Sequence, residues 1–317
     1  EAQNVEVGDR IVIQKKKGLF GSVHRPREAF LAGLYQSDGT QAGERTFIDV
    51  WEDNFDLLDE IESAVDYVYN TYGLNVYELH NQNGPTGSTR GRKTPQFHNC
   101  TATQGGVAKK SLGSTKLRQA IGVEKGSVPD WMWEADEETQ WEYVRGLLYA
   151  DGSAHMSSSN GNPIQIAYAD IKHDFLQELQ LLFNNLGLAS QIRVLHEAGP
   201  CMMPDGKGGQ KEYHRSKSWR LVMGIKANAL EIEKHTGFLT RKGVDVEDRN
   251  YRDNSKKAYA VTEIEYVGKE DVYCPTTETK ESVFISQGAL TFNCSEICLP
   301  SGPDESFVCC LASINAS

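Results

Sequence analysis

Residues 31–39 read LAGLYQSDG, and residues 144–152 read VRGLLYADG. The two stretches align without a gap at an offset of 113 residues: Gly33 with Gly146, Leu34 with Leu147, Asp38 with Asp151 and Gly39 with Gly152. Each is an apolar helical run that ends on a carboxylate, the end where the helix dipole disfavours negative charge. A glycine on an apolar helix face costs about 1 kcal/mol in helix propensity, which a close approach by a second backbone can offset. Two such helices, packed through their small residues, would bring their C-terminal ends to one pole and set two Asp side by side. That arrangement is unfavourable without a cation between the carboxylates, and paired oxygen donors suit Mg²⁺. Two-metal sites cleave phosphodiesters by in-line attack. The glycine after each Asp is expected to adopt a left-handed terminus.

The surrounding elements repeat as well. RPREAFLAGLYQSDG predicts a helix with Pro26 in its first turn, and ERTFIDVW predicts a strand. DNFDLLDEIESAVDYVYNTYG predicts an amphipathic helix, with an Asp or Asn cap, a stripe of Leu57, Leu58, Ile61, Val65 and Val68, and Gly73 as its stop. LNVYELH predicts a strand, and STKLRQAIG a short helix after a polar, Gly-rich hairpin region. Past residue 136 the series starts again. EETQWEYVRGLLYADG and IKHDFLQELQLLFNNLG predict helices, and IQIAYA a strand. SQIRVLHE and HRSKSWRLVMG predict strands around the turn-rich GPCMMPDGKGGQ, and ALEIEKHTG a last short helix. A repeat of about 110 residues is too long for a solenoid and predicts a pseudo-twofold α+β unit. Before it, NVEVGDRIVIQKKKG predicts a single strand. After it, residues 258–293 read as β-rich with turns at Gly268 and Gly288, and CSEICLPSGPDESFVCCLASINAS marks a further change of composition.

The chain has 317 residues, 39% hydrophobic and 24% charged, ordinary values for a soluble protein. No apolar run approaches the roughly 20 residues of a membrane span, and no signal peptide is evident. The chain opens on Glu1 rather than Met and is expected to be a piece of a longer polypeptide. Seven Cys, five of them after residue 270, form an odd and clustered set. Such a set does not suggest a disulfide framework, and reduced thiols imply a cytoplasmic setting. The net charge of −11 argues against nucleic acid, but the charge is segregated. Arg90, Arg92, Lys93, Lys109, Lys110, Lys116, Arg118 and Lys125 face the single acid Glu124 between Thr86 and Gly126. A second basic segment, with Lys211, Arg215, Lys217 and Arg220, occupies a similar place in the second half.

The paired stretches LAGLYQSDG and VRGLLYADG resemble the double signature of the LAGLIDADG homing endonucleases, over roughly residues 24–245. The resemblance implies two αββαββα halves that meet at the motif helices, each presenting an antiparallel sheet to the DNA major groove. It implies Mg²⁺-dependent, site-specific cleavage of double-stranded DNA by a monomer. Asp38 and Asp151 would be the metal ligands. Lys125 in GVEKG and Lys242 in LTRKG would be the lysines that reach toward the site, where a lysine can polarise the phosphate or orient water. Arg90, Arg92, Lys93, Lys211, Arg215, Lys217 and Arg220 would contact the DNA. The second motif departs at Arg145, where the family usually has a small residue.

The flanks carry two further resemblances. DVYCPTTETKESVFISQGALTFNC is similar to the C-terminal splicing blocks of inteins, and VEVGDRIVIQ to the end of the N-terminal splicing half. Asn293 would then be the cyclising residue and Cys294 the acyl acceptor. Phe292 stands where the family usually has His, and Ser282 where a second His is often found, so splicing by the residues present is not expected. CSEICLPS and VCCLASIN resemble the ribonucleotide reductase large subunit, with Cys294 as the radical-bearing cysteine, Glu296 beside it and Cys309 redox-active. The implied organisation is residues 1–18, end of the N-terminal splicing half; 19–135 and 136–255, the two repeats; 256–293, the C-terminal splicing segment; and 294–317, the start of the interrupted reductase. Its partners would be DNA of the uninterrupted reductase gene junction and the remaining intein and host segments, with no membrane. Two alternatives are a DNA-binding splicing passenger that no longer cleaves, and a piece of the host reductase.

Overall fold

A computed structural model describes residues 5–14, 16–43, 45–74, 94–100, 108–114, 116–156, 164–204, 209–224, 226–245, 258–266, 268, 283–286 and 288–292. The first half runs α1 (Pro26–Asp38), β2 (Gly39–Ala42), β3 (Arg45–Trp51), a 3-10 turn (Glu52–Leu57), α2 (Leu58–Thr71), β4 (Phe97–Asn99), β5 (Lys109–Ser114) and α3 (Leu117–Ile121). The second runs α4 (Glu137–Asp151), β6 (Ser153–Met156), β7 (Ile164–Asp170), α5 (His173–Asn185), β8 (Gln191–His196), β9 (Gly199–Pro204), β10 (Gln210–Arg215), β11 (Ser218–Met223), α6 (Lys226–Thr236) and α7 (Phe238–Arg241). The sheets are antiparallel with orders β2-β3-β5-β4 and β6-β7-β11-β8, the same topology twice. Among the described residues the second half differs by one inserted hairpin. The segment read as turn-rich around residues 199–210 forms β9, which pairs with β10 from Gln210↔Pro204 to Arg215↔Gly199. The strand expected at LNVYELH lies mostly outside the described residues.

The core forms where one face of each sheet meets the helices. Ile48, Val50 and Leu112 are buried in the first sheet, and Ile166, Tyr168, Leu221 and Met223 in the second. On α2 the stripe of Ile61, Val65 and Val68 is fully buried. That helix begins later than its acidic residues suggest. Leu57, not an Asp or Asn, precedes it, and no side chain caps it, because the 3-10 turn takes up the residues before it.

Between the two sheets lie α1 and α4. Residues 28–36 of α1 are all buried, as expected of a helix enclosed on every face. A Cβ on Gly33 would collide with the Tyr143 carbonyl and stand 2.8 Å from Leu147 N. A Cβ on Gly146 would collide with the Phe30 carbonyl and stand 2.9 Å from Leu34 N. The two contacts are the same contact seen from each helix. Arg145 does not loosen this packing. Its guanidinium lies 3.9 Å from the centroid of Phe30 on α1, pairs with Glu142 at 2.6 Å, and reaches Glu60 on α2 at 2.5 Å. The long side chain runs along apolar surface and is satisfied at its tip.

The N-terminal ends are stitched too. Thr139 N donates to Asp136 Oδ1 (2.9 Å), an N-cap, while Thr139 Oγ1 accepts from Arg25 N at the start of α1 (2.9 Å). His24 Nδ1 lies 2.7 Å from Asp136 Oδ2.

The β-rich flanks pair with each other. β1 (Arg10–Val12) pairs antiparallel with β12 (Ala258–Ala260). The hairpin β13 (Val283–Ser286) and β14 (Ala289–Phe292) joins them through the Ile13↔Ala289 bridge and a Gln14 N to Gly288 O hydrogen bond of 2.8 Å. Gly288, at φ +78°, makes the turn expected there.

Gly33→Ala or Gly146→Ala is expected to lower the thermal midpoint sharply. Overpacking typically costs about 1–3 kcal/mol, and here the colliding atoms are backbone, so the upper end applies; calorimetry of each variant checks it. The hydrogen bond to Asp136, with the charges of Asp136, Glu138 and Glu28, raises the His24 imidazole above its usual 6.5. Stability from this pair is complete below the unfolded value of about 6.5 and is lost as pH rises through the higher folded value. His24→Gln should therefore lower the melting temperature near about pH 5.5 and leave it unchanged near about pH 9. An equal loss at both would disprove the pairing.

Candidate active site at the paired helix ends

α1 and α4 end at one pole, each on an Asp followed by a strand-starting glycine. These glycines do not take the expected left-handed conformation. Gly39 has φ −72° and ψ 143°, and Gly152 φ −66° and ψ 139°, both extended. Space explains them instead: a Cβ at Gly39 would collide with the Tyr35 carbonyl, and one at Gly152 with that of Leu148. The chain turns from helix into the first strand of each sheet so tightly that only glycine fits. The Asp before each turn is thus held at the seam between helix end and sheet edge.

Both carboxylates are raised above their ordinary values. Burial pushes Asp38 up to about 6, and the charge of Asp151 adds to the shift. A hydrogen bond from Trp51 Nε1 (3.3 Å) and the charge of Lys125 oppose it. Asp151 keeps an open side toward solvent. The surrounding protein still removes part of its hydration and raises it, opposed by Lys125 and reinforced by Asp170. Two acids, each held in an environment that disfavours its charge, favour a bound cation.

Lys125 lies at this pole. Its Nζ donates to Ser37 O (3.0 Å) and to Gly39 O, the carbonyls on either side of Asp38. Partial loss of hydration lowers its pKa, against the pull of Asp151, Asp38, Asp170 and Asp49. Lys242 is elsewhere. It is exposed at the end of α7, with its ammonium 5.8 Å from the Phe238 ring. The hydrogen bonds that close the two short helices show why. Val123 N donates to Arg118 O and Val244 N to Leu239 O, after left-handed Gly122 and Gly243. This match pairs Gly122–Val123 with Gly243–Val244, so the counterpart of Lys125 is residue 246, a valine outside the described residues.

Of the expected DNA contacts, Arg90, Arg92 and Lys93 lie outside the described residues, as do Asn293, Cys294, Glu296 and Cys309. Lys211 and Arg215 are on β10, with Lys211 exposed and 5.7 Å from the Tyr213 ring. Lys217 pairs with Glu197 at 3.3 Å. Arg220 on β11 sits directly across from Arg193 on β8, on the sheet face turned away from buried Leu221. Two guanidiniums opposite each other repel unless an anion lies between them. Sequence reasoning passed over Arg193. The alternation in QIRVLH, with Ile192 toward the core, was the available signal. It also passed over Trp51, whose bond to Asp38 spans strand and helix and has no local signature.

Among the described residues, no group of three or more His, Cys, Asp or Glu is arranged to hold a metal. The donor set at the pole is two carboxylates. That set fits a hard cation that keeps several waters and takes its remaining ligands from phosphate, the usual habit of Mg²⁺. Among the described residues no helix is long and apolar enough to cross a membrane.

Residues 138–232 match the family described as a LAGLIDADG-like domain. The chain is 36% identical over 179 residues to the ribonucleoside-diphosphate reductase large subunit of Invertebrate iridescent virus 6, covering 56% of this chain and 18% of that protein. It is 25% identical over 308 residues to the ribonucleoside-diphosphate reductase NrdEB subunit alpha of Bacillus subtilis, covering 94% of this chain and 27% of that protein. The chain therefore spans about a fifth to a quarter of the length of these two relatives. Among solved structures, the homing endonuclease I-DmoI in complex with DNA and Ca aligns at TM-score 0.41 and 11% identity, over 66% of this chain and 88% of that one. The family match falls on the second motif and its half, residues 138–232, and residues 26–121 repeat the order of elements found there.

Proposed function

We propose that this chain is a site-specific endonuclease for double-stranded DNA that works with Mg²⁺. The observation that carries the reading is the convergence of Asp38 and Asp151, from two halves of one chain, at the ends of tightly packed helices. Asp38 and Asp151 would hold the ion, which when bound would neutralise charge on the scissile phosphate and activate water. The protein's own contribution is positional. The glycine contact fixes the separation of the two carboxylates. Lys125, anchored to the carbonyls beside Asp38, supplies a donor at the place where charge develops on the phosphate. The sheets flank this pole on both sides, and the facing Arg193 and Arg220 offer a phosphate contact on the second sheet. Lys211, Arg215 and Lys217 extend that basic surface, so binding weakens steeply with salt.

The flanks support a carrier. β1 and β12 stand on either side of the two halves in sequence and yet pair with each other, as expected if the halves are inserted in a separate β module. Both relatives above are named as reductase subunits, and the longer match covers 94% of this chain. On this reading the chain is part of an intein in a reductase, Asn293 and Cys294 mark the downstream splice junction, and the setting is cytoplasmic.

Residues 1–293 with Asn293→Ala should linearise a plasmid carrying the uninterrupted reductase junction that encodes CSEICLPS, and only when Mg²⁺ is present. Asp38→Asn and Asp151→Asn should each reduce cleavage by about a hundredfold or more while leaving DNA affinity within about threefold. Full activity in the double variant would refute the site. Mg²⁺ should also raise the melting temperature of the unsubstituted protein and not that of the double Asn variant.

A further inference from the structure

The side chain of Gln36, two residues before Asp38, is 2% exposed and spends its whole amide on one loop. Its Nε2 donates to Glu124 O (2.5 Å) and to Ser127 O (2.6 Å), and its Oε1 accepts from Gly126 N (2.8 Å). The loop so held, residues 124–127, carries Lys125. Lys125 in turn bonds back to the carbonyls of Ser37 and Gly39. Helix end and loop are therefore tied twice, once through Gln36 and once through the lysine. Gly126, at φ +84°, takes the left-handed conformation that turns its N–H toward the glutamine.

The second half does not repeat this device. The residue two before Asp151 is Tyr149, whose hydroxyl donates to Thr236 O. That acceptor lies at the end of α6. The position matching Lys125 is Val246. Lys172, from the second half, donates from Nζ to Lys125 O (2.8 Å), so it supports the same loop. Among the described residues the lysine arrangement at the pole is one-sided, although the carboxylates are paired.

We propose that Gln36 is a positioning residue that fixes Lys125 against Asp38, and that Lys125 consequently serves only one strand of the DNA. The proposal rests on the endonuclease reading above. Its two parts are tested separately, and the first needs no cleavage.

Hydrogen exchange on the protein alone reads the tie. The Gly126 amide is protected in the unsubstituted chain and should lose that protection in Gln36→Met, while amides in the middle of α1 keep theirs. Unchanged protection would overturn the role of Gln36 whether or not the protein cuts DNA. Strand-resolved kinetics on a duplex labelled at both 5′ ends reads the consequence. Gln36→Met should slow one strand by about tenfold to a hundredfold, the scale of a small misplacement of a reacting group, and leave the other within about twofold. Its KM should change little, while its melting temperature falls with the loss of the buried hydrogen bonds. In a Lys125→Met background, Gln36→Met should add nothing, because the two residues act through one ammonium. Equal slowing of both strands, or additive effects in the double variant, would overturn the proposal with the endonuclease reading intact. Absence of cleavage by the unsubstituted protein would overturn the endonuclease reading and the strand assignment, and leave the tie to be judged by exchange.

Discussion

The contact between Gly33 and Gly146 sets the geometry of everything else. Backbone approaches backbone there, and each glycine faces the carbonyl one turn before the other's motif leucine. Because the same contact is made from both sides, the two helices end level with each other, and their terminal Asp arrive together. Side chains cannot enforce this with the same accuracy, since they can change rotamer; backbone atoms in van der Waals contact cannot. The apolar residues around the contact supply most of the stability, and the glycines supply the alignment.

What the alignment produces is an electrostatically unfavourable pole. Burial raises the proton affinity of both Asp38 and Asp151, the charge of Asp151 raises that of Asp38 further, and the neighbours oppose this only in part, through the Trp51 bond to Asp38 and the Lys125 ammonium. The opposite pole is the reverse: Asp136, Thr139, Arg25 and His24 satisfy one another. Stabilising contacts at one end of the helix pair thus coexist with strain at the other, the common pattern where a site must accept a charged ligand.

Much of this was legible in the sequence. The duplicated Gly and Asp positions gave the helix pair, and periodicity gave α2, α5 and most strands. Asp38, Asp151 and Lys125 came from the same reading and meet in space. Four features did not come through. The glycines after the acids read as left-handed caps, but they are needed for clearance from a carbonyl, a distinction that only coordinates make. The β9–β10 hairpin was hidden by Pro200, Pro204 and a glycine-rich turn, which signal loop locally while long-range pairing makes strand. Lys242 looked equivalent to Lys125 because both precede a glycine. The hydrogen bonds that end α3 and α7 set a different register, because the second half is longer between its motif and its last helix. Gln36 had no signature at all: its three partners lie some ninety residues away.

The pairing of β1 with β12 has a consequence in polymer terms. Residues 13–257 form a single loop whose ends are pinned a strand's width apart. The entropy of closing a loop rises only with the logarithm of its length, about 0.6 kcal/mol per doubling. A flexible loop of this length would still cost the platform about 3–4 kcal/mol more than a four-residue turn, a cost that falls if the insert itself holds its two ends close together. The two are nevertheless in contact, since Gly18 N donates to Asn185 O on α5 (2.7 Å) and Lys17 pairs with Glu137 on α4, so the segment that leaves the flank is held against the second half.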